Sequence, residues 1–307
     1  MNTKIKVVGL GGSGCNAISR MRRCNIKGVE LIAMNTDVQD LNKIRADLKL
    51  RIGKKLTQGL GSGMDPEVGK KSAIESREEI KKALLGADMV FVTCGLGGGT
   101  GSGAAPIVAE VARELGNLTL AVVTKPFSFE GQARQKIAEG SIKRLKDKVD
   151  TLISISNDKL LTTLDPNTPL LSAFWACDDT LRQAVQGISD LISLPGIINI
   201  DFADVKSIMQ NAGSALFGVG KAQGEERAKK AALAAINSPL LDVSVKGAKG
   251  VLFNVSGGKD ISLAEIDEVA NCITQEINPE AKVIFGAVQD EKLKKGEIKV
   301  TVIATGF

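Results

Sequence analysis

Twice in the first hundred residues an apolar run of strand length ends in clustered glycines and reopens as a helix pattern. Ile5-Lys6-Val7-Val8 leads into Gly9-Leu10-Gly11-Gly12-Ser13-Gly14 and a helix expected from Asn16 to Cys24. Asp88-Met89-Val90-Phe91-Val92-Thr93 leads into Gly97-Gly98-Gly99-Thr100-Gly101-Ser102-Gly103 and a helix expected from Ala104 to Leu115. A strand apolar on both faces must be covered twice, and a helix after each strand supplies that cover only as a crossover in a parallel sheet. Further strands are expected at Val29 to Met34, Leu118 to Val123 and Thr151 to Ser156. The fold class is therefore α/β, beginning with a Rossmann-like, doubly wound parallel sheet.

Past that sheet the pattern changes. Leu181, Val185, Ile188, Leu191 and Ile192 recur at helical spacing within a long central helix, Phe174 to Ser193. About 20 residues at 1.5 Å each reach ~30 Å, a domain diameter. Pro195-Gly196 ends it. Helices at Glu225 to Ile236 and Leu263 to Ile277 then alternate with strands at Gly250 to Val255, Val283 to Ala287 and Ile298 to Thr305. The last two strands follow closely enough to be expected to pair antiparallel in a smaller C-terminal α/β domain. Lys49 to Lys55, basic residues alternating with Leu50 and Ile52, read as a solvated strand edge.

Composition excludes several kinds of chemistry. The 307 residues include no histidine and no tyrosine, so Ser-His-Asp triads, Cys-His pairs and HExxH zinc sites are impossible. The 5 cysteines are scattered, without a CxxC, so no metal site is expected and thiols in a reducing cytosol are the default. Forty basic against 35 acidic residues and 3% aromatics give neither the charge nor the stacking platforms of a nucleic-acid protein. No apolar run approaches the ~18 residues of a membrane-spanning helix, and the first strand begins too early for a signal peptide, so a soluble, cytoplasmic chain without direct membrane insertion is expected.

The glycine loops carry the functional signal. Gly9 to Gly14 match G-x-G-x-x-G, and Asp37 lies 23 positions beyond Gly14 at the end of the next strand. That is the context of a dinucleotide-binding fingerprint, and it keeps an NAD(P)-dependent oxidoreductase open. The second loop has 5 glycines in seven positions, and a third cluster stands at Gly59-Leu60-Gly61-Ser62-Gly63. So much glycine costs conformational entropy, and makes sense where successive N–H groups must surround an anion, with the Thr100 and Ser102 hydroxyls assisting. Three clusters suggest a triphosphate, yet the P-loop motif G-x-x-x-x-G-K-[ST] is absent from the sequence.

GGGTGSG, with Thr124-Lys125-Pro126-Phe127-Ser128-Phe129-Glu130-Gly131 and Asn199-Ile200-Asp201-Phe202-Ala203-Asp204, resembles the FtsZ family, bacterial cell-division GTPases of the tubulin superfamily. The resemblance runs from the first strand to Phe307. It implies a GTP-binding domain over 1–172, a central helix and catalytic loop over 173–204, and a C-terminal domain supporting assembly over 205–307. Contacts to GTP or GDP are implied for Gly11, Gly12, Ser13, Gly14, Cys15 and Asn16 of the first loop, and for Gly98, Gly99, Thr100 and Gly101 of the second. Glu130 and Arg134 would lie around the ribose and phosphates, Asn157 on the guanine side, Phe174 against the base and Asp178 on its polar edge. A carboxylate accepts from the N1–H and amine of guanine, which adenine does not offer. Taken singly, Phe174 reads as core and Arg134 as a solvated helix charge.

The same resemblance makes Asn199, Asp201 and Asp204 hydrolytic. They follow a ~30 Å helix, too far along to reach their own γ-phosphate, and the resemblance implies that the loop serves the nucleotide of the next subunit in a head-to-tail homopolymer, the two Asp orienting water. Either Asp could also cap a helix. Mg²⁺ is expected from triphosphate chemistry, held mostly by phosphate and water. Met64-Asp65 departs from the family's small residue and Asn before Pro66, setting a carboxylate near the γ-phosphate position. The family's tail peptide for membrane-tethering adaptors is not in the sequence, which leaves adaptor partners open and self as the expected partner at the mid-cell division site. A non-hydrolysing nucleotide-binding regulator is the third reading, opposed by Asp201 and Asp204. Without histidine, turnover is expected to show no histidine-like titration near neutral pH.

Overall fold

The computed structural model describes residues 3–26, 28–162, 164–165, 167–193, 196–238, 245–290 and 293–307. Two compact units divide the chain, Met1–Ser189 and Asp190–Phe307.

The first unit is built on β1 (Ile5–Leu10), β2 (Val29–Asn35), β3 (Leu48–Arg51), β4 (Met89–Gly95), β5 (Leu118–Lys125) and β6 (Thr151–Ser156). They lie in the order β3-β2-β1-β4-β5-β6, and every pairing among them is parallel. The helices are α1 (Gly11–Arg23), α2 (Val38–Lys43), α3 (Lys54–Thr57), α4 (Pro66–Glu75), α5 (Arg77–Leu84), α6 (Gly99–Glu114), α7 (Gln132–Lys146), α8 (Asn157–Leu161) and the long α9 (Leu170–Ser193). The inner strands are buried along almost their whole length, as their unbroken Val/Ile/Leu runs require. β3 is the partly exposed edge anticipated from its basic residues, Lys49 and Arg51, alternating with leucines.

Strand order fixes where a ligand can sit. Between β1 and β4 the connections turn in opposite directions, β1 leading on to β2 and β4 to β5. In such sheets the crevice opens at the carboxyl ends of the strands flanking that switch point. α1 and α6, the two glycine-rich helices, begin directly at those ends.

The second unit contains α10 (Phe202–Met209), β7 (Gly213–Gln223), α11 (Arg227–Ile236), β8 (Gly250–Gly257), α12 (Leu263–Thr274), β9 (Lys282–Gln289) and β10 (Glu297–Thr305). Its strands run β7-β10-β8-β9, with β10 antiparallel to β7 and β8, and β9 parallel to β8. The expected antiparallel pair of β9 and β10 is therefore corrected: β8 lies between them. β7, which glycines at 213, 218 and 220 hide from a strand search, supplies the antiparallel partner instead. Those glycines have a packing reason. A Cβ on Gly218 or Gly220 would stand 2.1 Å from the carbonyl oxygen of Ala235 or 2.0 Å from that of Ala231, so the alanine-rich α11 lies directly on the strand backbone.

Candidate nucleotide site at the switch point

The glycine loops are less loop than the sequence suggests. α1 starts at Gly11 and α6 at Gly99, about five residues before the expected starts, so each motif forms the first turn of its helix. Neither helix has a side-chain cap, and the N-cap residues are Leu10 and Gly98. The N–H groups at the start of a helix lack internal partners and carry the positive end of its dipole, which together make an anion site. Gly11 brings two such starts together. It holds φ at +68°, and a Cβ there would press on Gly101 N at 3.2 Å and Thr100 Cβ at 3.3 Å.

A cavity of about 270 Å³ opens over these termini. Gly11, Gly12 and Ser13 line it from the first motif, and Gly98, Gly99, Thr100 and Gly101 from the second. Glu130, Arg134, Asn157, Phe174 and Asp178 line it as well, so residues from opposite ends of the first unit's sequence meet at one cavity. Gly14, Cys15 and Asn16 do not. Because α1 begins at Gly11, position 14 faces β4, where a Cβ would come within 2.5 Å of the Thr93 carbonyl oxygen. Cys15 is fully buried with Sγ 3.5 Å from the carbonyl oxygens of Gly9 and Met34, and burial pushes its thiol up to about 12. Asn16 is exposed on the helix surface outside the lining. The helix start thus leaves these three outside the lining of the cavity.

Hydroxyls tie the glycine side of the cavity together. Thr100 Oγ1 lies 2.6 Å from Thr36 Oγ1 and 2.9 Å from Ser62 Oγ, joining the second and third glycine clusters to the end of β2. Ser102, expected to face the anion, turns inward and accepts the Gly97 N–H at 2.9 Å. Asp65 lies beside the second loop, where a Cβ on Gly99 would come within 2.7 Å of its backbone nitrogen. It caps α4, accepting from the Glu67 N–H at 2.8 Å, and Ser62 represents the third cluster in the cavity. Asp37 caps α2 through the Gln39 and Asp40 N–H groups, so its carboxylate is engaged by backbone as a helix cap.

The other side of the cavity is carboxylate, amide and aromatic. Glu130 accepts from the Phe127 N–H and pairs with Arg134, each at 2.9 Å. Asn157 is buried, and its Oδ1 has no hydrogen-bond partner, a costly state for a buried acceptor in a site that a ligand donor would satisfy. Phe174 is 37% exposed, too open for the core position its type alone suggests, and meets Phe127 edge-on at 5.5 Å. Asp178 is 8% exposed, and burial pushes its carboxyl up to about 6 against the opposing pull of Arg20. Sequence reasoning passed over Leu10, Gly95, Leu96 and Cys177 in the lining. Leu10 lies within the first quoted glycine motif, Gly95 and Leu96 precede the second, and Cys177 sits beside Asp178 on α9.

Asn199, Asp201 and Asp204 belong to the second unit and none lines the cavity. Their segment is pinned to β9: Ile197 and Ile198 donate to the Ala287 carbonyl, and Ala287 donates back to Ile198. Asn199 closes the turn by accepting the Gly196 N–H at 2.7 Å. Asp201 takes the N-cap position of α10 without making a side-chain cap bond, and Asp204 is exposed in the first turn. Both carboxylates are thus presented to solvent on an anchored loop. Among the described residues no group of three or more Cys, Asp and Glu could hold a metal ion, and no helix is long and apolar enough to cross a membrane.

Comparison with known proteins agrees with this architecture. The family model described as Tubulin/FtsZ family, GTPase domain, matches residues 4–165, and that described as FtsZ family, C-terminal domain, matches 213–307. An FtsZ dimer from M. jannaschii is 48% identical with a TM-score of 0.96, covering 100% of this chain and 89% of that one. A W319Y mutant of M. jannaschii FtsZ is 48% identical with a TM-score of 0.95, covering 99% of this chain and 91% of that one. CetZ2 from Haloferax volcanii shares the fold at 22% identity and a TM-score of 0.83, covering 98% of this chain and 92% of that one. With both family domains matched in order and nearly half its residues shared across full length with FtsZ, the chain belongs to the FtsZ family of the tubulin superfamily.

Proposed function

We propose that this chain binds and hydrolyses GTP, and that it assembles head to tail into protofilaments that form the division ring at mid-cell in the cytoplasm. The observation that carries the reading is the convergence of two uncapped helix N-termini, at Gly11 and Gly99, on a cavity that also holds an orphaned amide oxygen and a buried carboxylate. The helix starts suit phosphates. Asn157 and Asp178 suit the donors on the guanine edge, and Phe174 the base face. Thr100 and Ser62 are the hydroxyl oxygens at the phosphate side, where Mg²⁺ would supply charge neutralisation. Asp201 and Asp204, solvent-facing on a loop tied to β9, would polarise water at the γ-phosphate of the adjacent subunit, with Asn199 holding the loop's shape. A relative solved as a dimer supports self-association. The oxidoreductase reading accounts for neither the second uncapped helix start at Gly99 nor the Asn199, Asp201 and Asp204 loop.

The test is sedimentation and phosphate release in one sample with GTP and Mg²⁺. Pelleting that requires GTP, with turnover rising steeply above a threshold protein concentration, is the expected result. NADH binding without GTP binding would reverse the reading, and GTP binding without any phosphate release would leave only a nucleotide-binding regulator.

A further inference from the structure

Of the two acids lining the cavity, Glu130 is held by Arg134 four residues on, whereas Asp178 has its charged partner on another helix. Its neighbour Asp179 is held by Arg182 at 2.6 Å and by Gln183 at 2.7 Å. Asp178 instead receives Arg20 from α1, 158 residues earlier, with Nε 3.4 Å from Oδ2. Its Oδ1 takes no part in this contact. Arg20 is itself held from a second side, its guanidinium carbon 5.2 Å from the centroid of the Trp175 ring. Trp175 and Asp178 are three apart on α9 and so share a helix face, which places the arginine against an aromatic plane and a carboxylate at once.

We propose that Arg20 is a positioning residue for nucleotide selection, holding Asp178 ionised and turned so that its other oxygen accepts from the base. The inference rests on the guanine-binding reading of the cavity. A carboxylate can accept from two adjacent donors of guanine only while ionised, and once protonated it presents a competing donor. Burial opposes ionisation. The other charged groups facing Asp178 do not relieve this: Asp179 adds like charge, and across the cavity Glu130 is paired with Arg134. Cys177 beside it is neutral, its thiol pushed up to about 12 by burial. Arg20 alone favours the charged form.

The experiment is calorimetric titration of the full nucleotide-free chain with GTP between pH 5.5 and 9, for the native sequence, R20K, R20Q and R20A. Thermal melts at each pH establish that each protein is folded. R20A and R20Q are expected to bind GTP roughly 10- to 100-fold more weakly at pH 7, the range for losing a charge-assisted contact. Their affinity should recover toward alkaline pH, shifting the profile upward by about a pH unit or more, whereas R20K should restore most of it. A purely structural arginine would weaken binding by the same factor at every pH. A profile for R20Q that superimposes on the native one, scaled or not, overturns the role of Arg20. Failure of the native chain to bind GTP at any pH overturns the guanine reading and this inference with it.

Discussion

At the scale of single residues, the site takes its pH response from a carboxylate. Turnover in a chain without histidine is expected to show no histidine-like titration. Burial pushes the Asp178 carboxyl up to about 6, which makes that residue the group to which any titration near neutrality would be assigned. Because this pKa lies above the ordinary 3.8, the folded state binds the proton more tightly than the unfolded chain does. Stability from this group is complete below pH ~4 and is lost as pH rises through about 6. At pH 7.5 the buried charge costs up to about 3 kcal/mol. Nucleotide-free D178N is therefore expected to melt higher than the native protein above pH 6 and equally below pH 4, while losing GTP affinity. A lower melting temperature at pH 7.5 would contradict this account of Asp178. The resemblance singles out Asp178 for the base, but nothing in the sequence separates its ionisation from that of Asp179. The difference arises because one carboxylate is met by Arg182 and Gln183 from the next turn of its own helix, whereas the other depends on α1.

At the scale of elements, the glycines divide by task in a way their letters do not reveal. The sequence correctly marks two strand-to-helix junctions, since clustered glycine after an apolar run has few other uses. It places the helix starts too late, because glycine's poor helix propensity obscures a first turn that tertiary contacts impose. Gly103 is the clearest case. A Cβ there would stand 2.0 Å from the Pro66 carbonyl oxygen and 2.6 Å from Lys70 N, so it sets the approach of α4 to α6. Gly98, five positions earlier, has nothing within 4 Å of its Cβ position and keeps φ at −92°. G103A should destabilise the nucleotide-free protein by about 3 kcal/mol, at the upper end for overpacking, because the obstacle is backbone and cannot rotate aside. G98A should stay within about 1 kcal/mol of the native value. Urea denaturation followed by circular dichroism compares the two, and equal midpoints for both variants would show that the α4–α6 approach tolerates a methyl. β7 escaped the sequence reading for a related reason. Its glycines are what let α11 approach, and a strand search treats them as breaks.

At the scale of the whole molecule, the chain separates binding from the acids proposed to complete hydrolysis. The residues proposed to hold phosphate and base lie in one unit, and Asn199, Asp201 and Asp204 in the other. If the loop works on the next subunit, a subunit defective only in its site and one defective only in its loop can complement each other, because the contact joins unlike surfaces and repeats along a filament. D178N serves as the site variant and D204A as the loop variant. In a random one-to-one copolymer about a quarter of the contacts join an intact site to an intact loop. Each variant alone should release almost no phosphate, and the mixture about a quarter as much as the native protein at equal total concentration. Quantifying both species in the pellet confirms that they entered the same filaments. Self-contained hydrolysis predicts no turnover in that mixture, since every molecule carries one defect. A copolymer that pellets with both variants and releases no phosphate would therefore return Asp204 to a role within its own subunit, and the filament would be support for catalysis without being part of its chemistry.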